Sequence, residues 1–246
     1  MELKGLFKLS PALAIKYFRK KGNTYSWDWY ELWQEAHKKT FTVAKAMRED
    51  ILKDIRSAVD KALSNGQTFH EFKKELKPLL QKKGWWGEII TVDKDGIAEK
   101  AQLGSIHRLK TIYSVNMQTA YMAGRYKTQI ENIDNRPYWE YVAVLDDRTR
   151  PEHAELNGLV FRHDDPFWNS FYPPNGWRCR CRVNALSNYN MTSKNLKPSS
   201  SNGLLSEENR LISKKSGEYK PVTTYTDPLT GRKTAPDVGW NYNPAK

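Results

Sequence analysis

Cys179 and Cys181 stand one residue apart and are the only thiols in a chain of 246 residues. Alternate side chains of a strand share a face, so an extended Trp177–Val183 puts both sulfurs on one side and Arg178, Arg180 and Arg182 on the other. Two thiolates on one face can share a metal, since zinc sits only about 2.3 Å from each sulfur. His153, on a short helix expected upstream, is a third donor. His163, or one of Asp146 and Asp147, supplies a fourth. The candidate ligands are therefore Cys179, Cys181, His153 and His163, holding a structural zinc. The competing reading makes the thiols small buried hydrophobes, a common fate of free cysteine. A disulfide between them would be strained and disfavoured in a reducing cytosol.

The same stretch carries groups that suit phosphate chemistry. Asp146, Glu152 and His153 would serve a metal-dependent nuclease, and a Cys–His nucleophile pair is conceivable. Arg148, Arg150, Arg178, Arg180 and Arg182 present guanidinium forks that match phosphate, and they are the candidate contacts to DNA or to a partner. No H-E-x-x-H, P-loop or G-x-S-x-G string occurs. Arg148 and Arg150 beside Asp146 and Asp147 more simply pin a turn, so the expectation is a protein that is not an enzyme.

Local signals place these groups. The aromatic and β-branched run Tyr138–Leu145 predicts a strand. Asp146–Thr149 breaks it, Pro151 suits the first turn of a short helix, and Asn157-Gly158 ends that helix. Tyr172–Gly176 reads as a rigid turn into the cysteine strand.

Upstream the pattern is helical. One helix is expected from Ser10-Pro11 to Gly22-Asn23, after the apolar pair Leu6-Phe7. A much longer one, capped by Ser26, follows the stripe Tyr30, Trp33, His37, Phe41, Ala44, Met47, Ile51, Ile55 and Val59 to Ser64-Asn65-Gly66. His37 reads as a packed histidine rather than a ligand. Thr68–Glu71 forms a capping box for the next helix, which Pro78 should kink or split. Trp85 and Trp86, between glycines, are a buried corner or a binding anchor. Asp93–Gly96 is a polar loop, and a third helix is expected over 97–130, with Ala120 and Ala123-Gly124 allowing close approach of another element. Asn116 on its stripe needs a hydrogen-bond partner. Residues 188–246, rich in Ser, Asn, Lys, Pro and Thr, predict a largely irregular tail.

Forty basic and 28 acidic side chains leave a formal charge of +12. An acidic partner fits that balance, nucleic acid first and an acidic protein surface second, although a soluble basic surface needs no partner at all. Two cysteines one residue apart make no disulfide framework, no leader pattern opens the chain, and no run approaches the ~20 apolar residues a membrane span needs. The composition thus predicts a cytoplasmic protein, or part of an assembly built in the cytoplasm. The architecture expected is α+β: a helical body over 1–137, a small β-containing domain over 138–187, and an irregular tail over 188–246.

LDDRTRPEHAELNGLVF, followed by DDPFW and PPNGWRCRCRV, resembles the phage Mu F-like family of minor head proteins, also called head-morphogenesis proteins. FTVAKAMREDIL, the Gly84-Trp85 pair and RLKTIYSVNMQTAYMAGRY extend the resemblance backwards, and PDVGWNYNP extends it forwards. The family's motif positions fall on Asp146, Arg148, Thr149, His153, Gly158, Pro173, Pro174, Cys179, Arg180 and Cys181. The resemblance implies a minor capsid component that assists procapsid assembly at the portal vertex. Its implied partners are the portal protein, scaffold or major capsid protein, and non-specific DNA. Its implied place is the virion or procapsid, assembled in the bacterial host cytoplasm. Many relatives continue beyond the NP element, and some are fused to toxin domains for which this chain has no spare length. A nuclease or a plain DNA-binding protein remains the alternative.

Overall fold

The computed structural model describes residues 11–34, 36–92 and 96–246. Within them the chain is α+β, as expected. Pro11 opens α1 (Ala12–Arg19); Leu6 and Phe7 lie outside the described residues. The long helix expected from Ser26 does not form as one piece. The chain instead makes a two-residue strand β1 (Gly22–Asn23), a single turn α2 (Ala36–Lys39) and β2 (Thr40–Phe41), which pairs in parallel with β1. Only from Glu49 does a helix run, α3 (Glu49–Asn65), closed by Gly66 in the left-handed conformation (φ 64°). Two local preferences win over the apolar spacing. The Glu31 carboxylate accepts the backbone N–H groups of Trp27 and Asp28 at 2.9 and 3.1 Å, fixing a turn. Thr40–Val43 is a β-branched and aromatic run that prefers extended backbone.

The capping box is present: Thr68 and Glu71 bond reciprocally at the start of α4 (Phe69–Lys82). Pro78 does not split that helix, and it sits on the exposed face, where water can satisfy the carbonyl it leaves unpaired. Trp85 is a buried corner whose indole N–H donates to the Lys45 carbonyl at 2.8 Å. The third helix starts later than its stripe suggests. β3 (Glu88–Val92), rich in β-branched residues, pairs with β4 (Ala98–Gln102) as an antiparallel hairpin, and most of the polar loop between them lies outside the described residues. Ser105 then caps α5 (Ile106–Ile130). Asn116 finds its partner within the helix, donating to the Ile112 carbonyl at 2.8 Å. A Cβ on Gly124 would lie 3.1 Å from the Ala14 backbone nitrogen, so this glycine lets α1 approach.

Downstream, β5 (Tyr138–Val142) is followed by α6 (Pro151–Glu155), β6 (Val160–Arg162), α7 (Phe167–Ser170), β7 (Arg182–Leu186) and α8 (Asn188–Ser193). The sheet order is β6-β5-β7, antiparallel throughout, with Trp139 opposite Phe161 and Ala185. The segment after 193 is not irregular. It folds as β8 (Leu205–Leu211), β9 (Tyr219–Thr226) and β10 (Lys233–Thr234), an antiparallel sheet of order β10-β9-β8. Few of its side chains are apolar, and Val222 and Tyr225 are the ones most deeply buried.

Two large clusters of buried side chains result, beside a small one of Val160, Leu186 and Met191. One joins α1, α3, α4 and the first half of α5; the other joins Met122, the small sheet, α7, both cysteines and Tyr225. Rings fill the second: Phe167 stacks on Phe161 at 4.3 Å and on Phe171 at 4.5 Å. Buried aromatic pairs each add about 0.5–1.5 kcal/mol beyond the area they cover.

His37 is packed, its Nε2 facing the Leu32 carbonyl at 3.1 Å. Burial, then the charge of Lys21, lowers its pKa from 6.5 to about 4, against the opposing Leu32 hydrogen bond. The unfolded chain therefore takes up this proton first, and stability falls as pH drops from about 6.5 through about 4. In pH-dependent unfolding His37→Gln should flatten that slope, removing a dependence of about 3 kcal/mol at most.

Candidate metal centre

The turn after β5 is built by one carboxylate. Asp146 Oδ1 accepts from the Arg148 N–H at 3.1 Å and the Thr149 hydroxyl at 3.2 Å. Across the turn Arg180 donates both arms to Asp146, at 2.6 and 2.5 Å. The Arg180 hydrogen bonds, more than the turn's own donors, hold the Asp146 carboxyl well below the usual carboxylate range, against the opposing effect of desolvation. Pro151 then starts α6 at its first position and sends His153 inward, where it is 3% exposed. From the other side the chain passes through the buried, cis-linked Pro173-Pro174 and reaches Cys179, whose N–H donates to the Gly176 carbonyl at 3.1 Å. Strand geometry begins only at Arg182, yet the expected alternation holds: Cys179, Cys181 and Val183 are buried and the arginines between them are not.

Three donor atoms converge. His153 Nδ1 lies 3.7 Å from Cys179 Sγ and 3.6 Å from Cys181 Sγ, and the set falls within 4.8 Å. Ligand atoms about 2.0–2.3 Å from a tetrahedral zinc are separated by roughly 3.5 Å, so spacing and donor chemistry fit a thiolate–imidazole metal site. The other ring nitrogen, Nε2, is buried with no hydrogen-bond partner among the described residues. Burial pushes the Cys179 thiol well up. Cys181 is held below its ordinary value, first by its hydrogen bond with Cys179 and, with burial opposing, by Tyr141 and the charges of Arg180 and Arg150. The neighbouring charges of Arg180 and Arg150 favour a thiolate in this pair, the form that binds metal.

The other expected ligands lie elsewhere. His163, just past β6, packs its ring against Trp139 (centroids 6.2 Å) with Nδ1 facing the Pro137 carbonyl at 3.3 Å. Asp146 is spanned by Arg180, and Asp147 is almost fully exposed. The five arginines do not form one patch. Arg148 folds over Asp146, Arg150 bonds the Trp177 carbonyl and Asp237, and Arg178 reaches the Thr111 hydroxyl and His107. Arg182 is half-buried at the start of β7.

Several residues that position the centre carry no local signal. Gln118 of α5 donates to the Cys181 carbonyl at 2.7 Å, and Arg125 and Gln129 donate to the Val183 carbonyl at 2.8 and 3.0 Å. Tyr141 donates to Asn175 Oδ1 at 3.0 Å, both groups buried. Asp237 comes from the far end of the chain, its N–H bonded to the Asn175 carbonyl at 2.9 Å and its carboxylate 3.1 Å from Arg150. An isolated Asp in PDVGW gives no hint of that contact.

Fold and centre together define an α+β protein in which a buried Cys–Cys–His cluster is fastened to a long helix, with a C-terminal segment packed on Arg150 and Gly176 beside it. A family model described as Phage Mu protein F like protein matches residues 53–184, and the chain belongs to this family. It is 48% identical over 239 residues, 96% of its length, to the "Putative capsid assembly protein F" of Escherichia phage Mu. It is 46% identical over 220 residues, 89% of its length, to the "Mu-like prophage FluMu F protein" of Haemophilus influenzae. The chain spans about half the length of these curated relatives, 54% and 52% respectively. No solved structure matches it significantly. Among the described residues no helix is long and apolar enough to cross a membrane.

Gly176 has no room for a side chain: a Cβ would run into the Asp237 carboxylate and lie 3.1 Å from an Arg150 nitrogen. Gly176→Ala should lower the unfolding free energy by about 1–3 kcal/mol. Denaturant melts in an Asp237→Ala background should show a smaller cost for the same change, as expected for groups in contact.

Proposed function

We propose that this protein is a minor head-morphogenesis component of a tailed phage or prophage. It assists procapsid assembly at the portal vertex through contacts with portal, scaffold or major capsid protein. The observation that carries this reading is the 48% identity, over nearly the whole chain, to a protein named for capsid assembly. The site supports a structural part rather than a hydrolytic one, because its donors are buried and Asp146 is committed to Arg180. The protein therefore belongs in the procapsid or virion, assembled in the host cytoplasm, and its basic charge allows non-specific contact with packaged DNA. Co-expression with its cognate portal and major capsid proteins, followed by mass spectrometry of purified particles, tests this. The protein should be present in few copies per particle, and its deletion should lower the yield of normal heads. Its absence from particles, with head yield unchanged by deletion, would refute the reading.

Cys179, Cys181 and His153 would hold a structural zinc, which supplies a cross-link between α6 and the approach to β7. Protein purified without chelator should carry near-stoichiometric zinc. Chelation, or Cys181→Ser, should lower the unfolding free energy by several kcal/mol. A metal-free protein whose thermal unfolding ignores EDTA would leave the thiols as core.

A further inference from the structure

Apart from the metal centre, the chain forms a half-open cavity of about 600 Å³ between the 26–45 segment, the first half of α5, Trp177-Arg178 and the 239–242 segment. Five cations line it. Two have carboxylate partners: Lys45 with Asp28 at 3.2 Å, and Arg150 with Asp237 at 3.1 Å. The other three bond only neutral acceptors among the described residues. Lys21 donates to the His37 carbonyl, and Arg108 to the carbonyls of Gln102, Leu103 and Ala44. Arg178 donates to the Thr111 hydroxyl at 2.7 Å and meets His107 Nε2 at 2.6 Å.

A cation taken out of water without a counter-charge is costly unless something anionic joins it; of the three, Lys21 is buried and Arg108 and Arg178 are half-buried. Lys21 is 8% exposed, and burial, with the charge of Arg56 adding, lowers its pKa to about 7. Arg178 holds a left-handed backbone (φ 58°), a conformation non-glycine residues rarely keep and one that gathers at ligand sites. Three tryptophans line the same space. Trp29 meets Trp177 edge to face at 6.2 Å, and Trp177 meets Trp240 at 5.2 Å. Such rings are platforms for planar bases.

We propose that this cavity binds a phosphate monoester carried on an aromatic base, the chemistry of a nucleotide, with the phosphate facing Lys21, Arg108 and Arg178 and the base against the tryptophans. A monoester carries roughly −1.5 to −2 charges at neutral pH, a closer match than one carboxylate to two arginines and a partly charged Lys21. The volume lies in the range of small-ligand sites and does not admit a double helix. The source is either a free mononucleotide or the phosphorylated end of a single strand. The inference deepens the reading of the basic side chains as nucleic-acid contacts and does not depend on a bound metal.

The full chain, as purified, is titrated with deoxyadenosine monophosphate, deoxyadenosine, inorganic phosphate, and short single-stranded oligonucleotides with and without a 5′ phosphate. Calorimetry and tryptophan fluorescence report binding. The monophosphate should bind at least about tenfold more tightly than the nucleoside and should quench the tryptophans. Arg178→Gln and Lys21→Met, each checked for folding by circular dichroism, should each weaken it about tenfold or more. Preference for the 5′-phosphorylated strand over the mononucleotide identifies a strand end, and the reverse identifies a free nucleotide. If Arg178→Gln unfolds, the wild-type comparison and Lys21→Met decide. The proposal fails if no phosphate ligand binds. It also fails if oligonucleotides bind equally with and without the 5′ phosphate and are held as tightly by the variants. That last outcome would put nucleic acid on the outer surface and leave the head-assembly reading standing.

Discussion

The carbonyl oxygens of Cys181 and Val183 end in a buried place where water does not reach, and α5 supplies their donors. Gln118 takes the first; Arg125 and Gln129 share the second. A buried carbonyl without a donor costs about 1–3 kcal/mol, so these bonds fix where the two thiols can stand. Gln129 is held in turn by the Tyr172 hydroxyl at 2.7 Å, just before the prolines that lead to Cys179. The approach to the centre is thus tied to the helix at both ends. Because the same helix packs against α1 through Gly124, the helical half and the cysteine half share one beam.

The second constraint is aromatic. Trp139, fully buried on β5, sits edge-on to Tyr126 of α5, to Trp168 of α7 and to Tyr172. Tyr225 of β9 closes the cluster from the C-terminal sheet against Phe161 and Phe167. Large rings interlocked in this way tolerate little displacement, so the sheet that carries β7 and the helix α5 keep a fixed relation.

What could be read from sequence was what local chemistry decides. The Thr68–Glu71 box, the glycine stop at Gly66, the proline start of α6 and the one-sided thiols all follow from neighbours a few residues apart. The stretch from Ser26 to Val43 misled because its apolar residues fall at helical spacing while a capping glutamate and a β-branched run set its backbone. The sheet of β8–β10 was hidden because β8 buries no side chain, β10 one and β9 only Val222, Thr224 and Tyr225, which leaves little apolar alternation to see. His153 and His163 flank the same motif and look alike in sequence. Only the direction of α6 turns the first inward, while the end of β6 lays the second on Trp139. Asp237 and the tryptophan series around the cavity depend on contacts across much of the chain, which no spacing rule contains.

The order of synthesis gives the cover over the centre a temporal meaning. His153, Cys179 and Cys181 leave the ribosome before the segment that carries Asp237 and Trp240. Until that segment arrives, Gly176 and Arg150 lack the carboxylate that packs on them and Trp177 lacks its neighbour Trp240. The nascent chain therefore passes through a stage in which all three donors have been made while the approach to Cys179 lacks the contacts that later pack on it.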